Sequence, residues 1–194
     1  MTDPTAHLID QVKACRICAE KLPHGPRPVI QIGREARLLI AGQAPGSKVH
    51  ETGIPFDDPS GDTLRAWLGI DRATFYDPSK VAILPMAFCY PGRGRSGDLP
   101  PPTDCAPAWR ARLLATMPDI RLTLVIGRYA LDHHLGNDAK ANLTETVRAY
   151  RDYLPTHLPL PHPSPRNRPW LKRHPWFEAE VIPALRDRVA EVLA

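Results

Sequence analysis

Four short apolar runs constrain this chain more than any other feature: Ala36–Ala41 (ARLLIA), Val81–Phe88 (VAILPMAF), Leu122–Ile126 (LTLVI) and His157–Leu160 (HLPL). Each is four to eight residues long and bounded by Gly, Pro or charged residues. That is the pattern of a strand buried on both faces. Between the runs the spacing turns helical. Ser60 can cap a helix that carries Leu64, Trp67 and Leu68 on one face. Trp109, Leu113 and Leu114 mark a second helix, opened by Cys105, and Tyr129–Leu135 a short third. Phe177, Val181, Leu185, Val189 and Val192 recur at intervals of three and four, with Pro183 expected to kink or split that helix. Near the start, Leu8, Val12 and Cys15 share a helical face. Strands alternating with helices predict an α/β fold with a parallel sheet covered on both sides.

The 194 residues suit one domain spanning 1–194, with enough chain for a real core. At 43% hydrophobic and 24% charged, the composition argues against wholesale disorder. No apolar run approaches the roughly 20 residues that a spanning helix needs. Met1-Thr2-Asp3-Pro4 lacks a basic region followed by an apolar stretch, so no secretory signal is expected. These points predict a soluble, cytoplasmic protein with no membrane partner. The 23 prolines, about twice the ordinary share of roughly 5%, predict long, stiff, ordered loops.

The unusual residues fall in the loops that follow the predicted strands, where a parallel sheet places its ligands. Gly42-Gln43-Ala44-Pro45-Gly46 follows the first run. It has neither the GxGxxG spacing nor the GK[ST] ending of a phosphate cradle, but its two glycines and stiff proline can aim backbone amides at a flat ligand. His162-Pro163-Ser164-Pro165 follows the fourth run, and its prolines hold an imidazole at the strand tip, where a neutral N–H can donate to a developing oxyanion. Four cysteines without an export signal point to metal or redox chemistry rather than disulfides. Cys15 and Cys18 are spaced CxxC, and Cys89 and Cys105 lie sixteen positions apart. This set can close a tetrahedral site for zinc or hold an iron–sulfur cluster, with zinc at least as well suited by spacing alone, and buried unliganded cysteines are the remaining alternative. Cys105 at a helix start would gain thiolate character from the positive helix end.

The net charge of +4 matters chiefly through its placement. No acidic residue falls between His162 and Trp176, a stretch holding Arg166, Arg168, Lys172 and Arg173, and a second basic stretch is Gly92-Arg93-Gly94-Arg95. Two such loops suit a phosphate backbone if the fold brings them to one side, and solvated surface otherwise.

Taken in order, Gly42-Gln43-Ala44-Pro45-Gly46, Gly53-Ile54-Pro55-Phe56, Ser60-Gly61, the four cysteines and His162-Pro163-Ser164-Pro165 resemble the uracil-DNA glycosylase superfamily. The class most similar is the one with a four-iron, four-sulfur cluster, often called family 4. The likeness runs from Cys15 to the closing helix. It implies a three-layer α/β/α sandwich around a four-stranded parallel sheet, a monomer, and uracil-containing DNA as partner. It further implies a 4Fe-4S cofactor on Cys15, Cys18, Cys89 and Cys105, with zinc as the alternative. By the same likeness Phe56 would stack on the extruded uracil, His162 would steady the uracil anion through O2, and Gly42, Ala44 and Ser164 would line the base site. Arg166, Asn167 and Arg168 would form the loop that enters the duplex.

This sequence departs from the class at two places. Gln43 stands where the class has a water-activating glutamate, and Pro85 or Met86 where it has a uracil-reading asparagine. Base recognition is then expected from backbone groups around Ala87 and Phe88. Asp57 or Asp58 can approach the site or serve only in a turn or cap. No lysine is evidently placed for Schiff-base chemistry, Lys48 being a surface candidate. The expectation is a monofunctional uracil-DNA glycosylase that leaves an abasic site and depends on His162 more than on a general base at Gln43. The alternatives are a nonenzymatic damaged-DNA-binding protein on the same scaffold, or a glycosylase for hypoxanthine or xanthine.

Overall fold

In the computed structural model, which describes residues 4–95 and 97–194, the four apolar runs become one parallel sheet. The reading of the extreme N-terminus lies outside the described residues, apart from Pro4. In chain order the elements are α1 (Pro4–Lys13), β1 (Leu38–Ala41), α2 (Ser47–Thr52), α3 (Pro59–Leu68), α4 (Arg72–Phe75), β2 (Val81–Ile83), α5 (Cys105–Leu114), β3 (Leu122–Ile126), α6 (Arg128–His134), α7 (Leu143–Arg148), β4 (His157–Leu160), α8 (Arg168–Arg173) and α9 (Ile182–Leu193). The strand order is β2-β1-β3-β4, with Leu38 opposite both Val81 and Leu122, and Leu124 opposite Leu158. No helix of the described residues is long and apolar enough to cross a membrane.

Alternation along the strands builds the three layers. Leu38 and Ile40 of β1 enter a core with Leu64 and Trp67 of α3, Val147 of α7 and Leu185 and Val189 of α9. Leu39, between them, faces the other way onto Leu8 and Val12 of α1 and Leu113 of α5. Ala41 and Val125 pack with Ala130 and Leu131 of α6. Helices on both faces of a parallel sheet make the α/β/α sandwich.

Several local expectations give way to specific contacts. The second run leaves the ladder after Ile83: Leu84, Met86 and Ala87 still donate to the carbonyls of Ile40, Gly42 and Gln43, but Pro85 has no N–H to offer. The cap of α3 is Asp58, whose carboxylate accepts from the Gly61 N–H at 2.9 Å, with Pro59 in the first turn and Ser60 buried inside the helix. Cys15 lies past the end of α1, so of the three residues expected on its buried face Leu8 and Val12 are in the helix and Cys15 is not. The C-terminal helix is split as Pro183 suggested, a π-helical turn over Phe177–Val181 giving way to α9 with that proline in its first turn.

Candidate active site

Beyond the carboxyl ends of β1, β2 and β4 lies a cavity of about 420 Å³. Gly42, Gln43 and Ala44 line it from the loop after β1, Pro85 from the chain after β2, and His162 from the loop after β4, while Phe56 and Asp58 close it from the segment before α3.

The protonation of His162 follows from its backbone surroundings. The Ser164 N–H donates to His162 Nδ1 at 3.2 Å. A nitrogen that accepts carries no proton, so the neutral ring keeps its hydrogen on Nε2. Burial lowers the pKa of His162 and keeps the ring neutral, against the opposing pull of the Asp58 and Asp98 carboxylates. The Asn167 side-chain amide donates to the His162 carbonyl at 2.7 Å, which braces the turn between Pro161 and Pro163. The site therefore presents a fixed, uncharged N–H donor on a cavity wall.

Phe56 is held by backbone strain. Its φ of 55° is the one positive value among the described non-glycine residues. The strain persists because α3 packs directly beneath it: a Cβ added at Gly61 would lie 1.8 Å from the Phe56 carbonyl oxygen. Arg65 and Tyr76 reach the Phe56 and Pro55 carbonyls, and the Phe56 ring stands edge-on to Phe75 with centroids 6.2 Å apart. A Cβ at Gly42 would stand 3.7 Å from the ring tip.

Gln43 Nε2 donates to the Leu99 carbonyl at 3.3 Å. A carbonyl can only accept, so the amide nitrogen must face Leu99, and Oε1 has no protein partner among the described residues. Nor does a protein hydrogen bond among those residues engage the N–H of Gln43 or Ala44. Of the two aspartates, Asp57 pairs with Arg72 at 2.9 Å and Asp58 does double duty. One Asp58 oxygen caps α3, while the residue lines the cavity and acts electrostatically on His162. The Asp58-Pro59-Ser60-Gly61 run carries a cap signature that sequence reasoning could have read. Its place on the cavity wall depends on tertiary packing.

The expected backbone readers sit elsewhere. Ala87 and Phe88 are fully buried and line a second cavity, beside the cysteines. The Ala87 N–H is engaged on the Gln43 carbonyl and the Phe88 carbonyl on the Val29 N–H. Neither lines the first cavity. Ser164 and Arg166 line an outer trench that shares Gly46, Asp58, Ser60 and His162 with the first cavity. Arg168 begins α8, exposed to solvent, and Asn167 is committed to the His162 turn.

Cys15, Cys18, Cys89 and Cys105 all line the second cavity, of about 330 Å³, and none forms a disulfide. Trp109 Nε1 donates to Cys15 Sγ at 3.3 Å, and backbone hydrogen bonds from Arg27 and Phe88 reach Cys89 and Cys105. Burial nevertheless pushes the Cys89 thiol up to about 11 and the Cys105 thiol up to about 12. At Cys105 this outweighs any gain from the helix start. Among the described residues no group of three or more His, Cys, Asp or Glu side chains is arranged to hold a single metal ion.

The family model described as "Uracil DNA glycosylase superfamily" matches residues 30–186 of this chain. Among solved structures, the chain is similar to the solution NMR structure of a protein from Methanosarcina acetivorans described provisionally as a uracil DNA glycosylase. The identity is 16%, the match covers 83% of this chain and 98% of that one, and the TM-score is 0.49.

Proposed function

The chain belongs to the uracil DNA glycosylase superfamily, and from that membership we propose that it hydrolyses the N-glycosidic bond of uracil in DNA and leaves an abasic site. The observation that carries this reading is the fixed Nε2–H of a neutral His162 on the wall of a cavity of about 420 Å³ that also holds Phe56.

The base is extruded and stacked on Phe56, which leaves its O2 within reach of His162. As the bond from the base nitrogen to C1′ breaks, its electron pair moves onto the base and the sugar becomes an oxocarbenium ion. The charge gathering on O2 accepts the Nε2–H hydrogen bond, and the N–H groups of Gln43 and Ala44 are available to the same ligand. A preorganised donor of this kind is worth about 2.7–4 kcal/mol in the transition state. Water then adds to C1′. Gln43 Oε1 can hold that water but cannot take its proton, and Asp58 is the carboxylate among the lining residues that can.

We also assign the four cysteines to a 4Fe-4S cluster. Four sulfurs around one cavity and N–H donors directed at three of them suit thiolate ligands. When bound, such a group supplies a cross-link between chain segments and no step of the hydrolysis.

Incubation with a uracil-containing oligonucleotide followed by alkali tests the assignment. Strand breakage at the uracil supports it. Tight binding without breakage would instead make the chain a nonenzymatic damage-binding protein, and breakage only at hypoxanthine or xanthine would reassign the substrate.

A further inference from the structure

The outer trench does not end at Arg166. Through Ser47, Tyr90 and Arg93 it continues into a third hollow lined also by His24, His50 and Glu51. The base cavity, the trench and this hollow therefore form one connected path. At its far end three rings gather. His24 lies stacked on Tyr90, with centroids 5.3 Å apart and planes 25° from parallel, and His50 is tilted against both. Tyr90 is buried and His24 exposed, so the pair presents one aromatic surface to solvent from a fixed base. His50 Nδ1 is buried and has no hydrogen-bond partner. Lys48, Arg93 and Arg166 are exposed along the path, and none forms an ion pair among the described residues.

A metal does not account for this cluster, because no group that includes these histidines and Glu51 is arranged to hold an ion. A nucleic-acid strand does. Each base offers a flat face to a stacked ring and each link a phosphate to a cation. We propose that the path carries the strand leaving the extruded nucleotide, with a neighbouring base stacked on the His24–Tyr90 pair and its phosphate at Arg93. The proposal rests on the glycosylase reading for the position of the extruded base. Asp58, Asp98 and Glu51 line the same walls and equal the three cations in number, so stacking rather than net charge must hold the strand at this end. A strand laid along this path is unpaired there, which makes single-stranded or locally opened DNA the preferred substrate.

The test uses single-stranded uracil oligonucleotides with the fluorescent base 2-aminopurine on one or the other side of the uracil. Binding to the intact protein should quench the fluorescence on one side. His24→Ala, a change at an exposed ring, should abolish that quenching and raise KM for cleavage about ten-fold, within the range measured for single base–aromatic stacks. Trimming the oligonucleotide on the quenched side should raise KM for the wild type and leave the variant indifferent. Arg93→Ala should lower the salt dependence of binding by about one charge. Quenching on neither side, or a variant as sensitive to trimming as the wild type, would overturn the proposal. Quenching without cleavage would keep the strand path and discard the glycosylase reading, whereas cleavage without quenching would do the reverse.

Discussion

At the scale of single residues, the site divides the work between a donor and weaker proton acceptors. His162 is fixed as an Nε2–H donor by the Ser164 N–H, so under the proposed mechanism His162→Ala removes a hydrogen bond that strengthens as charge reaches the leaving base. Single-turnover cleavage should slow about 10²–10³-fold. Gln43→Ala should cost less, because that amide can position water but cannot accept its proton. Equal losses in the two variants would shift the main burden to water activation. Asp58→Asn separates catalysis from capping. Asparagine caps a helix as well as aspartate does, so the melting temperature should hold. Cleavage should fall toward the lower end of the about 10²–10⁴-fold range of general-base assistance, since an oxocarbenium ion is captured readily even by weakly activated water. A variant with wild-type kinetics would remove Asp58 from the mechanism.

At the scale of elements, helices fix the site by close approach to the loops. Gly61→Ala would drive a methyl group into the Phe56 carbonyl, 1.8 Å from where its Cβ must go. It should destabilise the fold by about 1–3 kcal/mol or more and raise KM as Phe56 shifts, measured by thermal melting and steady-state cleavage. A second tie joins α5 and α6 to the end of β2. Arg110, only 2% exposed, donates to the Leu84 and Pro85 carbonyls and contacts His134 Nε2 at 2.6 Å. Burial, and then Arg110, push His134 down from its ordinary 6.5 to about 3. The unfolded chain therefore takes up this proton more readily than the folded one. The neutral ring's contribution is complete above pH 6.5 and is lost progressively as pH falls toward 3. His134→Gln, which keeps an acceptor without a titrating ring, should give a shallower decline of melting temperature across that window, and an unchanged decline would rule out this tie. The strands were legible in sequence because burial on both faces leaves unbroken apolar runs, as in LTLVI of β3. Gln43 and His162 could be picked out because their motifs sit at strand tips, and Phe56 only through the resemblance of Gly53-Ile54-Pro55-Phe56 to the superfamily. Ala87 and Phe88 misled because two residues of chain after Pro85 carry the backbone from one cavity to another, and no local pattern records which. The cap went to Asp58 rather than Ser60 because Pro59 starts the helix two residues earlier than a Ser60 cap would place it.

At the scale of the whole molecule, the two cavities are mechanically joined. Cys15 and Cys18 belong to the segment after α1, while Cys89 and Cys105 bound the long proline-rich loop between β2 and α5. That loop carries Arg93 into the outer trench and presents the Leu99 carbonyl that holds the Gln43 amide. The proposed cluster would cross-link all four sulfurs and pin both ends of the loop, so its loss should reach the base cavity through Leu99 and the proposed strand path through Arg93. Without it, Cys89 and Cys105 stay protonated at neutral pH, with thiols pushed up to about 11 and about 12, and nothing ties them to Cys15 and Cys18. Protein purified without oxygen should carry the brown absorbance of a cluster. Its chelation, or Cys89→Ser, should lower the melting temperature and weaken DNA binding more than it slows cleavage of DNA already bound. The sheet, whose core is built from other residues, should keep its secondary structure by circular dichroism. If the stripped protein melts and binds DNA as the intact protein does, the cysteines do not brace the site. If chelation slows bound-state cleavage as much as binding, the loop acts on Gln43 more strongly than on the strand path.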